Sequence, residues 1–330
     1  MNDLYPWLTA YRDWLGSRLE QDGIPHGLLI TGQPGVGKMA LATALAGLLL
    51  CEQRGSRDSV CGHCEGCRSF AAGAHPDYVL VTQEVDEKTG KQAASIKVDQ
   101  IRELAEKLTL SSHRTGYKVV LLAPAETLNI NAANSLLKTL EEPTDNTVLV
   151  LVCASPARLP ATIRSRCQQL RITVPEARLA EAWLTERLPG VDAGRYLQLA
   201  GGAPLEALRL AEGQVIEARR EQLQSLVDVL EGKAEPLAIA SVWGRDEQLQ
   251  PVLWLRDWLM DLLRIRMTGS TGSIRSVDLE DLLARLAPRL DPRELFRQLE
   301  QINQALRIRD GILNRQLMTE EILLSWAAMK

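Results

Sequence analysis

A chain of 330 residues with 45% apolar and 24% charged content has room for two or three packed domains and the composition of an ordinary globular protein. Its 38 basic and 42 acidic side chains give a net charge of −4 with no long basic block, which excludes a stand-alone electrostatic binder of DNA. No run of about 18 apolar residues occurs and residues 1–14 lack a basic-then-apolar leader, so the chain is expected in the cytoplasm with no membrane attachment.

Strands and helices alternate through the first half. Residues 27–31, 78–82, 118–122, 147–152 and 168–172 read as strands, each a short run bounded by turn residues. Residues 38–50, 98–109 and 130–142 read as helices, the last stopped by Pro143. This alternation predicts an α/β domain over 1–172, a parallel sheet with helices on both faces. Strand signals cease after Val174-Pro175. Residues 173–213 hold two or three short helical segments around Gly190 and Gly201-Gly202-Ala203-Pro204, and 214–330 is helical throughout. Within it Trp254, Leu255, Trp258, Leu259, Leu262 and Leu263 make one broad apolar helix face, suited to a bundle core or to a subunit interface.

The first strand–helix junction carries Gly32-Gln33-Pro34-Gly35-Val36-Gly37-Lys38-Met39, a phosphate-binding loop with its last position altered. In G-x-x-x-x-G-K-[S/T] the backbone N–H groups cradle phosphates, Lys balances their charge, and the hydroxyl holds Mg²⁺. Met39 offers a soft thioether that a hard cation disfavours. The strand at 118–122 runs into Ala123-Pro124-Ala125-Glu126, so the acid that holds Mg²⁺ in such enzymes is absent from the strand end and Glu126 stands too far along to replace it. Two losses in one metal site predict a vestigial nucleotide site, with Gly35, Gly37 and Lys38 as its remaining phosphate-binding residues.

Four of the six cysteines are spaced C-x9-C-x2-C-x2-C at Cys51, Cys61, Cys64 and Cys67. Four thiolates at this spacing suit a closed tetrahedral zinc site of structural type, with Gly62 and Gly66 at its sharp turns and His63 as a weaker ligand candidate. An iron–sulfur cluster or a redox pair are the alternatives. Cys153 and Cys167 stand apart and are expected to pack as small apolar side chains.

Together these features resemble the delta-prime subunits of bacterial DNA polymerase III clamp loaders, which are AAA+ proteins. The resemblance rests on Pro25-His26-Gly27 and the strand that follows, the four-cysteine module, His75-Pro76-Asp77-Tyr78, Asn134-Ser135-Leu136-Leu137-Lys138-Thr139-Leu140-Glu141-Glu142-Pro143, and Ile163-Arg164-Ser165-Arg166-Cys167. It is dense over 24–176 and thins beyond. It implies an AAA+ domain at 1–172 with a zinc module at 51–67, a small helical lid at 173–213, and a helical collar used for oligomerisation at 214–330. Motor subunits of the family carry Thr after the loop Lys, an acidic pair after the third strand, and an Arg in the lid. Here those places hold Met39, Ala123-Pro124 and Leu205, which implies the member that does not hydrolyse ATP. The resemblance further implies a stator in a pentameric loader that places the sliding clamp on primed DNA. Its partners would be the motor subunit (gamma/tau) and the delta subunit, with the clamp and DNA met through the assembly. Arg166 would then reach into a neighbouring motor's ATP site, a task suited to a permanently charged, forked guanidinium. The rivals are an active motor of the same fold, and a zinc-dependent nucleic-acid adaptor using Arg54, Arg57, Arg68 and Phe70 near the cysteines.

Overall fold

The computed structural model describes residues 4–21, 23–53, 60–85, 90, 92–109, 116–213, 215–246, 249–307 and 314–329. It divides into two compact units, Met1–Ala180 and Glu181–Lys330. In the first, strands β1 (Gly27–Thr31), β2 (Tyr78–Val81), β3 (Lys118–Leu122), β4 (Thr147–Cys153) and β5 (Gln168–Arg171) form one parallel sheet ordered β2-β3-β4-β1-β5. β1, β3 and β4 are buried at every position, as aliphatic runs must be when helices cover both sheet faces. The polar β5 lies at one edge, where half its side chains meet solvent.

Helices α1 (Thr9–Gln21), α2 (Lys38–Leu50), α3 (Glu65–Ala71), α4 (Val98–Thr109), α5 (Ile130–Glu141) and α6 (Ala161–Arg164) complete this unit. On one sheet face Leu29, Val120, Leu122, Leu149 and Leu151 pack with Ile101, Leu104 and Leu108 of α4 and Leu136 and Leu140 of α5. The intervening residues Leu28, Ile30, Val119, Leu121, Val148 and Val150 point to the opposite face and are equally buried. α2 is apolar nearly all round and packs against β1, β3 and β4, with Ala42 and Ala46 small enough for close approach. Asn129 caps α5 by accepting from the N–H of Ala132 at 2.8 Å. The pairings Thr31↔Cys153 and Leu122↔Leu151 bring the ends of β1, β3 and β4 to one sheet edge, so Gly32, Ala123 and Ala154 all emerge there. Ligands of open α/β sheets lodge at this carboxyl edge.

Residues 176–212 form three helices, α7 (Ala177–Arg187), α8 (Ala193–Leu199) and α9 (Pro204–Glu212). They are followed by α10 (Val215–Leu230), α11 (Pro236–Trp243), α12 (Gln250–Thr268), α13 (Glu280–Leu286), α14 (Pro292–Arg307) and α15 (Arg315–Ala327). The broad apolar face of α12 is core: Leu255, Trp258, Leu259 and Leu262 are fully buried and join Trp243 and Trp326 in one cluster. The Trp326 indole donates to Leu226 O at 2.9 Å, which satisfies its one donor in this apolar setting. A buried ion pair crosses the same core. Arg219 Nε meets Asp278 Oδ2 at 2.8 Å, its Nη2 donates to Ser276 Oγ at 2.9 Å, and its guanidinium lies near the rings of Trp254 and Trp258.

Candidate functional site

The glycine loop leaves the end of β1 and feeds α2. Gly37 takes φ +92°, left-handed backbone that an L side chain rarely adopts, and so turns the chain directly into the helix at Lys38. Lys38 is buried, and its Nζ donates to Gln33 O at 2.8 Å, which closes the loop on its own lysine. Burial lowers the Lys38 pKa, and the charge of Glu126 offsets part of that shift. Met39 follows with 39% of its surface exposed, and Ala123 and Pro124 continue from β3. Neither position where a hard cation needs an oxygen ligand presents a side-chain oxygen.

Two parts of this site escaped sequence reasoning. Glu126 Oε1 accepts from the N–H of Ala154 at 2.9 Å, so the carboxylate is tied to the end of β4 and its charge reaches Lys38. Its second oxygen is buried beside the Cys153 thiol. Burial, reinforced by the Glu126 charge, pushes the neighbouring Cys153 thiol up to about 12, so it is a neutral packing group as expected. The second part is the segment Tyr5–Leu8. Trp7 Nε1 donates to Val36 O at 2.9 Å, and Tyr5 stacks on Trp7 with ring centroids 5.1 Å apart. Leu8 and Tyr5 lie on the bare Gly37 backbone, where a Cβ would meet Leu8 Cδ1 at 2.9 Å and Tyr5 Cδ2 at 3.1 Å. A cluster of large apolar residues at 5–8 was its only sequence signal.

Arg166 stands between α6 and β5 on the surface of the first unit. Its Nη1 donates to Thr162 O at 3.0 Å, and its Nη2 pairs with Glu141 Oε1, at the end of α5, at 2.5 Å. Leu205, in the second unit, lies half-buried on α9.

The thiols of Cys51, Cys61, Cys64 and Cys67 converge, with their sulfurs all within 4.8 Å of one another. A tetrahedron with Zn–S arms of about 2.3 Å has edges of about 3.8 Å; Cys61 Sγ and Cys67 Sγ are 3.8 Å apart. Backbone N–H groups of Cys61, Cys64 and Cys67 point at the sulfurs of Cys51, Cys61 and Cys64 at 3.3–3.4 Å. Burial acts to raise the Cys64 pKa, but N–H donors from Cys67 and Glu52, together with the thiols of Cys67 and Cys61, outweigh it and draw the thiol down to about 6. The donor set fits a soft, closed tetrahedral cation. Gly62 makes the expected turn at φ +75°, whereas Gly66 is needed for space: a Cβ there would collide with Leu50 O. His63 is outside the cluster, its ring nitrogens engaged with Cys61 O at 2.8 Å and Gln53 Oε1 at 3.1 Å. Phe70 is buried edge-on against Tyr78, so it offers no stacking surface to a nucleic acid. Arg68 is exposed, and Arg54 and Arg57 lie outside the described residues.

Among the described residues no helix is long and apolar enough to cross a membrane. The family profile described as "DNA polymerase III, delta subunit" matches residues 9–176, and that described as "DNA polymerase III, delta subunit, C terminal" matches 214–328. DNA polymerase III subunit delta' of Pseudomonas aeruginosa is 35% identical over 334 residues, covering 100% of this chain and 99% of that one. Subunit delta' of Escherichia coli is 35% identical over 325 residues, covering 97% and 94%. Subunit tau of Escherichia coli is 35% identical over 158 residues, covering 48% of this chain and 23% of tau.

Proposed function

This chain belongs to the family of DNA polymerase III delta' subunits and is a clamp-loader component, and from that premise we propose that it works in the loader without hydrolysing ATP itself. One observation carries the reading: the lysine of its phosphate loop is spent on Gln33 O, while Met39 and Ala123-Pro124 supply no ligand for Mg²⁺. The apolar cover of Tyr5, Trp7 and Leu8 on Val36 and Gly37 supports it. Gly35, Gly37 and Lys38 are then the relic of a nucleotide site, and the chain's contribution to catalysis is made on a neighbour.

That contribution is Arg166, offered in trans to the ATP site of a motor subunit of the gamma/tau kind. An arginine suits charge developing on a phosphoryl group because it is always ionised and forks toward phosphate oxygens. The relatedness of this chain to tau over 48% of its length supports a ring of similar subunits in which such a residue can reach across. Motor and delta subunits are the direct partners, and the sliding clamp and primed DNA are met through the assembly. Within the chain, 1–172 is the AAA+ domain, 173–213 the lid and 214–330 the collar. Zinc is the ion held by Cys51, Cys61, Cys64 and Cys67, where it ties the end of α2 to the start of α3. The test measures ATP binding and phosphate release on the chain alone and after reconstitution with motor and delta subunits. The reading requires no turnover alone and a gain in DNA-stimulated loading on assembly; Mg²⁺-dependent turnover by the chain alone overturns it.

A further inference from the structure

We propose that Glu141 is the positioning residue for Arg166, holding its guanidinium in the orientation in which it is presented to a neighbouring subunit; this rests on the trans-acting reading of Arg166 above. Three sequence segments with no obvious common purpose meet at this point of the fold. The first is His26-Gly27 at the start of β1, the second Leu140-Glu141 at the end of α5, and the third Arg166-Cys167 before β5. Gly27 is the pivot of their packing. A Cβ there would stand 3.1 Å from Arg166 O, 3.2 Å from Leu140 Cδ2 and 3.3 Å from Cys167 Sγ, so the other two segments fill the space its missing side chain leaves. His26 Nε2 lies 3.1 Å from Leu140 O, which ties the last turn of α5 to β1. Leu140 and Cys167 are themselves buried in the sheet core. The backbones that carry Glu141, at the end of α5, and Arg166, in the short turn before β5, are therefore held against each other by buried, packed residues.

On that frame the side chains complete a two-point clamp. Thr162 O takes Nη1 at 3.0 Å and Glu141 Oε1 takes Nη2 at 2.5 Å, so both terminal nitrogens are gripped from the chain's own side. Nη1 also reaches Ser165 Oγ at 3.5 Å, Nη2 keeps a second hydrogen, and 36% of the arginine side chain remains exposed to meet a partner. A long arginine free in water samples many rotamers, and a transition state gains from it only when it is already aimed. Glu141 never touches the reacting phosphate; it acts through Arg166.

The experiment uses the complete reconstituted loader, with assembly checked by gel filtration and the melting temperature of each variant chain recorded. Glu141 is half exposed, so its substitutions are expected to fold. Glu141→Ala should lower DNA-stimulated kcat at the served site by roughly 5- to 100-fold. The lower figure is the upper end for an exposed ion pair and the higher that of an approximately 1 Å misplacement. The KM for ATP should change little. Glu141→Gln keeps the length and an acceptor oxygen and should recover part of the loss, whereas Glu141→Asp, one methylene short, should not. Glu142→Ala removes the same charge one residue away and should have little effect. The decisive arm is the double variant: Glu141→Ala added to Arg166→Ala should cost nothing further, because the only route of its action is gone. An additive loss in that background, or an unchanged or raised rate in Glu141→Ala alone, overturns the positioning role while leaving Arg166 in place. Full activity of an intact Arg166→Ala loader is the separate result that removes the trans-acting reading and this inference with it.

Discussion

Replacing Cys64 by serine tests the metal site with little collateral change. Cys64 has two jobs in the structure: it is one of four converging thiols, and it caps α3 by accepting from the N–H of Cys67 at 3.3 Å. Serine is a good N-cap, so Cys64→Ser preserves the helix start and removes only the thiolate. Structural zinc sites with four ligands are worth about 10–16 kcal/mol near neutral pH. An even share is about 2.5–4 kcal/mol per ligand, or roughly 10²–10³ in affinity. The seven residues of α3 are too few to hold a helix by themselves, so the loss should loosen the cysteine module. The parallel sheet draws its core from β1, β3, β4 and their helices and should stay folded. The assay is metal content after dialysis against a graded chelator, with cobalt substitution read by thiolate charge-transfer absorption and the fold followed by circular dichroism. Wild type should retain about one equivalent and the variant lose it at roughly 10²–10³-fold lower chelator strength. Equal retention by the two chains, or a metal-free wild type without thiolate bands, refutes the reasoning.

The isolated chain should release no phosphate from ATP above background, and Met39→Thr should not restore turnover, because Ala123-Pro124 still supplies no acid at the end of β3. In a reconstituted loader Arg166→Ala should leave assembly intact and reduce kcat at the one site it serves by on the order of 10³–10⁵. Total ATPase should then fall partially and clamp loading more severely, with Arg166→Lys a poor substitute for the planar fork. Arg219→Ala should destabilise the helical unit by about 3–5 kcal/mol, because it leaves Asp278, wholly buried, without its guanidinium. Thermal melts of that variant beside Arg219→Met/Asp278→Leu check this, since the apolar pair should recover most of the loss.

Features controlled by local pattern and residue chemistry were legible along the chain. Aliphatic runs at 27–31 and 118–122 became β1 and β3 with those limits, and 38–50 and 98–109 became α2 and α4, because hydrophobic period and turn residues are written along the chain. Strand and helix ends elsewhere moved by one residue, as at Val81, Glu141, Cys153 and Arg171, where hydrogen bonding to a neighbour and not side-chain type decides the last residue. The cysteine spacing announced its cluster because ligands ten residues or fewer apart are neighbours before the chain folds. Contacts between distant segments had no such trace. Glu126 looked displaced along the chain, yet β4 takes up its carboxylate from 28 residues away. The cover of residues 5–8 on the glycine loop spans 29 residues at Trp7 and Val36 and depends on how α1 packs against α2. The α12 face could have been core or interface until burial assigned it to the core. Glu141 and Arg166 belong to two separate sequence motifs, and only the packing of α5 and the approach to β5 around Gly27 makes them partners. Local periodicity is a property of consecutive residues, whereas these pairings exist only once the sheet order has brought remote segments together.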